Sequence, residues 1–178
     1  MPDIYMGNQN VEADSISSMH NKIFCQKCSL ASAGALQSIS IYIDTTYECN
    51  MRMCVYADSS GSPGALQAET DVWLVTATGW NTRATLTNPN LAAGDYWLAF
   101  KYPTDDLVIP RTTESGSTKR RTLTYAAGSF PDPAGSPWTY ETMLLSWYAT
   151  LTPAATGNWP LLTMKNELYN TMNSQLRG

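Results

Sequence analysis

The feature that most constrains this chain is a period-two alternation that starts and stops many times. In the run GALQSISIYI, Leu36, Ile39, Ile41 and Ile43 are apolar, and Ser38, Ser40 and Tyr42 interleave the last of them. Such a pattern puts one set of side chains on each face of an extended strand and does not match the 3.6-residue repeat of a helix. MRMCVYA repeats it, with Met51, Met53 and Val55 on one face and Arg52, Cys54 and Tyr56 on the other. NKIFCQKC, LQAETDVWLV, WNTRATL, GDYWLAFKY, KRRTLTYAA and TMLLSWYATL are further runs of this kind. The separators, such as SSGSPG, NPNLAAG and GSFPDPAGSPWTYE, carry the Pro and Gly that turns require. Short strands with turns between them, uninterrupted by a long amphipathic helix, predict a sandwich or barrel.

The expected fold is therefore all-β: an antiparallel, jelly-roll-like β-sandwich of about eight strands with a short C-terminal helical tail. A chain of 178 residues is enough for one domain with a real core. Residues 1–18 are polar and unpatterned and read as an N-terminal arm, and residues 19–152 as the sandwich domain. Residues 153–178 read as a linker, PAATGNWP, followed by an amphipathic tail. In that tail Leu161, Met164, Leu168, Met172 and Leu176 fall three or four residues apart, the stripe of a helix.

Composition narrows the setting. Charged residues make up only 15% of a chain rich in Ser, Thr, Ala, Tyr and Trp, which suits a β-rich extracellular or particle surface. A formal charge of −4 gives no general reason to bind nucleic acid or an anionic membrane. No run is long and apolar enough to cross a bilayer. The start, MPDIYMGNQN, lacks the basic and apolar regions of a signal peptide.

The stretch YADSSGSPGALQAET reads first as a turn. Pro63 sets φ, Gly61 and Gly64 permit positive φ, and Asp58 can cap its own backbone two residues on. Followed by GWNT and NPNLAAGDYWLAF, it also resembles a β-sandwich module that recurs in bacteriophage virion proteins and bacterial surface proteins. GALQSISIYI and SFPDP fit the same pattern. The resemblance covers about residues 20–151 and implies a fold more than a function, because such modules serve as decoration, fibre and glycan-binding parts. It places Trp80, Tyr96 and Trp97 in the core or on a sheet face. Alternation alone agrees: Tyr96, Leu98 and Phe100 share one face of DYWLAF, and Trp97 and Ala99 share the other. A strand apolar on both faces lies between layers or under a loop.

Little in the chain suggests catalysis. His20 is the single histidine and reads as a surface residue, with no nucleophile-elbow motif to support a triad. Asp105 and Asp106 lack the spacing of a calcium loop. There is no Gly-rich phosphate loop. The chain is expected not to be an enzyme and to need no cofactor. Cys25, Cys28, Cys49 and Cys54 are read as structural, with disulfides ranked ahead of a zinc site or free thiols. Lys119–Arg121 read as a solvated strand edge.

Two functional classes remain. One is a virion structural protein, a capsid decoration or fibre-type module contacting other virion proteins or sister subunits. Here Trp159, Leu161, Leu168 and Met172 of the tail would make the contacts of a homo-oligomer, for instance a trimer. The alternative is a glycan-binding or adhesive module. Its candidate site is the loop PDPAGSPWTYE, where Trp138 and Tyr140 could stack on sugar and Asp132 or Glu141 accept hydroxyls. Against that stands the simpler reading, in which Trp138 folds back over the sandwich edge.

Overall fold

The computed structural model of the chain describes residues 2–17, 19–45, 48–103, 107–113, 118–123 and 128–154. These residues form strands and no helix. In chain order the strands are β1 (Ile4–Asn8), β2 (Asp14–Ile16), β3 (Lys22–Leu30), β4 (Gly34–Ile43) and β5 (Cys49–Ser59). Next come β6 (Ser62–Glu69), β7 (Trp73–Val75), β8 (Gly79–Ala84), β9 (Asn90–Leu91) and β10 (Gly94–Lys101). The last are β11 (Ile109–Thr112), β12 (Thr118–Thr122), β13 (Thr139–Glu141), β14 (Leu144–Leu145) and β15 (Trp147–Pro153). The helical tail expected over 161–178 lies outside the described residues, as do Trp159, Leu161, Leu168 and Met172.

The strands pair antiparallel into one sheet ordered β1-β15-β4-β8, with β9 also on β4, and a larger one ordered β13-β12-β3-β10-β5-β6, with β7 also on β5. A small third sheet, β14-β11-β2, completes the described part. The main core lies between the inward faces of the first two. Leu36, Ile39, Ile41, Ile43, Trp147, Ala149 and Leu151 meet Phe24, Met53, Val55, Leu98 and Phe100 there. The rings of Phe100 and Trp147 cross edge to face at 5.0 Å between centroids.

The alternation in β4 has one irregular step, and the structure explains it. Leu36 and Ile39 are three residues apart, yet both are fully buried. Leu36 stands opposite Leu151 and Ser38 opposite Thr150, so Gln37 is the unpaired residue of a bulge. The Gln37 carbonyl is used instead by the Thr85 amide at 3.1 Å.

Two expectations change. Residues 1–18 are not an unpatterned arm: β1 pairs with β15 along its whole length, and Met6 is fully buried. LQAETDVWLV divides into β6 and β7, and TMLLSWYATL into β14 and β15, so the strands outnumber the eight runs. β10 is buried on both faces as expected. Tyr96, Leu98 and Phe100 join the main core. Trp97 and Ala99 join a second cluster with Ile23, Cys25, Cys54, Tyr56, Phe130 and Ala134 on the outer side of the large sheet.

Candidate functional site

The second cluster is roofed by the segment from Gly128 to Trp138, and polar bonds hold that roof down. The buried Lys101 ammonium donates to the Gly128 and Ser129 carbonyls at 2.7 and 3.1 Å. Tyr56 Oη donates to the Pro131 carbonyl at 2.9 Å, and Glu69 accepts the Phe130 amide at 2.9 Å. Asp132 accepts the Leu66 amide at 2.9 Å, which makes it a clasp of the roof. Trp138 is half-buried against the cluster, with the Arg121 guanidinium 5.5 Å from its ring centre. Of the residues expected to hold a sugar, Tyr140, at 67% exposure, and Asp132 are exposed, while Trp138 and Glu141 are half-buried. Its ring carries the Lys119 ammonium 4.4 Å from its centre.

Lys119–Arg121 are not a solvated edge. β12 runs between β13 and β3, and Lys119 and Arg121 stand opposite Cys25 and Ile23, so they share the face that carries the outer cluster. Lys119 is 3% exposed. It donates to the Gly61 carbonyl at 2.5 Å and Ser62 Oγ at 2.8 Å, and lies over the rings of Trp97 and Tyr140. Arg120, on the opposite parity, pairs with Glu141.

The Asp58 turn is structural, with its roles redistributed. Asp58 Oδ2 accepts the Gly61 amide at 2.9 Å, three residues on, and Oδ1 accepts Trp97 Nε1 at 2.7 Å. Positive φ falls on Ser60 (52°) and Gly61 (77°). Gly64 is needed for another reason: a Cβ there would come within 2.8 Å of Ser59 Cβ. Burial pushes the Asp58 carboxyl up, but the bonds from Gly61, Trp97 and Lys27 outweigh it and hold it below the usual carboxylate range. Lys27 also pairs with Asp95 at 2.8 Å.

All four cysteines are buried and outside any disulfide, so the disulfide reading is overturned. In a strand, residues three apart face opposite ways. Cys25 therefore joins the outer cluster while Cys28 joins the main core, and Cys54 and Cys49 divide likewise. Cys25 and Cys54 both register with Ala99, from either side of β10. They stand two strand spacings apart, roughly 9.6 Å, beyond the Cα separation a disulfide spans. Among the described residues no three His, Cys, Asp or Glu side chains converge as metal ligands would. His20 is partly buried at the turn before β3, and Asp105 and Asp106 lie outside the described residues.

The arrangement that sequence reading missed lies on the outward face of the smaller sheet. Tyr5 of β1, Tyr148 of β15, Tyr42 of β4 and Trp80 of β8 form one connected series of rings. Tyr5 meets Tyr148 at 5.6 Å, Tyr148 meets Trp80 at 5.0 Å, and Trp80 meets Tyr42 at 5.5 Å, all edge to face. β15 and β8 flank β4, so Trp80 leans across β4 to reach Tyr148. Ser40, opposite both Tyr148 and Thr82 in register, is 1% exposed, and its hydroxyl shares a 2.8 Å hydrogen bond with Thr82 Oγ1. Tyr5 and Trp80 keep 47% and 37% of their surface exposed. By strand parity the other outward positions here are Gly7, Ser38, Ala84 and Thr150. One signal for this face was present in the sequence: Tyr42 and Tyr148 occupy the otherwise Ser/Thr parity of their strands.

No family model matches the chain, and no curated protein matches it. Among solved structures, the chain is similar to that of the cysteine protease and lectin-like domains of Cwp84, a surface layer associated protein of Clostridium difficile. The identity is 13% and the TM-score 0.56, over 85% of this chain and 36% of that one. At that identity the likeness shows the fold: an all-β, sandwich-like module of a kind found in a bacterial surface protein. It agrees with the surface-module side of the sequence resemblance and lends nothing to the virion side.

Proposed function

We propose that this chain is a non-enzymatic glycan-binding, adhesive module of an extracellular or cell-surface protein. The observation that carries the reading is the ring series Tyr5–Tyr148–Trp80–Tyr42, left open to solvent on a sheet face otherwise made of small and hydroxyl side chains. Aromatic rings present an apolar surface that matches the C–H face of a pyranose, and tyrosine hydroxyls can exchange hydrogen bonds with sugar hydroxyls. Tyr140 at the sandwich's other face is a second open ring, but its neighbours Trp138 and Asp132 are engaged in holding the roof. The lectin-like part of the structural neighbour is the part this chain resembles, which supports the same class.

The test is a glycan array probed with the labelled whole chain and with Trp80→Ala. Each aromatic contact is worth about 0.5–1.5 kcal/mol beyond its area, and 1.4 kcal/mol is tenfold in affinity. The expected result is binding to at least one glycan group, about tenfold weaker in Trp80→Ala, with circular dichroism unchanged. Absence of glycan binding by the wild type, or equal binding by both proteins, counts against the reading.

A further inference from the structure

We infer that the four-ring face takes a single, uncharged polysaccharide chain, and discriminates against both anionic glycans and the flat face of a crystalline polysaccharide. This rests on the glycan-binding reading above and narrows it to a ligand class.

Charge supports the first half. Between the rings the outward strand positions offer hydroxyls and small side chains and no cation, and the exposed Asp3 and Asp44 continue the same parity just beyond Tyr5 and Tyr42. A sulfate or carboxylate laid on this face would shed part of its water without gaining a counter-charge, which disfavours it. A neutral sugar has no such cost. Its hydroxyls find the tyrosine Oη atoms and Thr82 Oγ1, which is exposed and keeps hydrogen-bonding capacity whichever partner donates in its bond with Ser40.

Ring geometry supports the second half. A crystalline polysaccharide presents a plane, and stacking on it requires the rings to be coplanar. Here Tyr5 and Tyr148 are inclined at 80°, Tyr148 and Trp80 at 63°, and Trp80 and Tyr42 at 89°. Neighbouring rings therefore show a plane in turn with an edge. A separate chain can rotate about each glycosidic linkage and give successive sugars different tilts, whereas a lattice surface cannot. The rings come from β1, β15, β4 and β8 and follow one another at 5.6, 5.0 and 5.5 Å between centres, a series longer than one sugar ring. The ligand is thus an internal stretch of a chain, not a lone monosaccharide.

The experiment measures affinity of the whole chain for three sets of probes: soluble neutral polysaccharides (dextran, mannan, xyloglucan), soluble anionic ones (hyaluronate, polygalacturonate, heparin), and insoluble crystalline cellulose and chitin. The expected result is binding to at least one neutral soluble polymer, at least tenfold tighter than to any anionic or crystalline probe, insensitive to salt, and about tenfold weaker in Trp80→Ala. Should Trp80→Ala misfold, Tyr5→Ala and Thr82→Val at the same face serve, with a loss of about threefold or more expected. Binding to an anionic or crystalline probe that these variants abolish would overturn the ligand class while leaving the glycan-binding reading standing. Binding to none of the three sets would overturn both. Self-association of the wild type that Trp80→Ala abolishes would make this face an interface between copies, and would likewise overturn the inference.

Discussion

Trp97 donates its indole N–H to the Asp58 carboxylate at 2.7 Å, which ties the middle of the large sheet to the turn between β5 and β6. The same carboxylate caps the Gly61 amide, so one group fixes both a buried ring and a hairpin. Trp97 is 1% exposed. Trp97→Ala should cost about 3–5 kcal/mol, as for other buried tryptophans.

Asp58→Asn removes the charge that both donors and Lys27 favour, and should cost about 1–3 kcal/mol at pH 7. The Asp58 and Asp95 carboxyls are both held low in the fold, Asp95 mainly by its bond from Lys27. A depressed folded value means that the stabilisation is present above the unfolded carboxylate value, about 3.9, and is lost as pH falls through the folded value. Urea midpoints should therefore hold from pH 7 to about 5 and drop below about 4. The drop should be smaller in Asp58→Asn; an identical acid slope would place the lability elsewhere.

Three consecutive basic residues should respond unequally to truncation. Lys119→Met leaves the Gly61 carbonyl without its buried donor and should cost about 1–3 kcal/mol. Arg120→Ala removes a partly exposed ion pair with Glu141 and should cost about 0–1 kcal/mol. Equal losses by chemical denaturation would show that Lys119 is not the interior residue described above.

The four thiols should be silent in the folded protein. Burial pushes those of Cys25 and Cys54 well up, and that of Cys28 up to about 12. A maleimide reagent should label the native chain slowly and label four sites at once in denaturant. Because an unfolded thiol ionises near about 8.5, the stability these groups provide is present below that pH and lost as pH rises above it. A non-reduced mass two or four hydrogens short would establish disulfides instead.

Much of the strand architecture was legible in the sequence because it is local. The bounds of β4 and the two faces of DYWLAF follow from alternation, which is fixed by how successive Cβ atoms point along an extended backbone. The three-residue step from Leu36 to Ile39 was not explained by alternation, and only the register of β4 against β15 shows it to be a bulge. What the sequence left open was partnership. β1 shows only Ile4 and Met6 as apolar residues, too short a pattern to tell a strand from an arm; pairing with β15 and burial of Met6 decide it. Lys119–Arg121 look like an edge until β13 pairs on their far side. The C-x-x-C spacing of Cys25 and Cys28 suggests a ligand or disulfide pair until both residues prove to lie in one strand, facing opposite layers. The ring series depends most on the fold, because Tyr5, Tyr42, Trp80 and Tyr148 come from four separate strands. By itself, then, the sequence determined which side chains share a face of each strand, since that is set by backbone geometry within a few residues. Only the tertiary structure decided which strands stand side by side, and hence which faces join into one surface, because that choice is made by long-range burial and ladder hydrogen bonding across the whole chain.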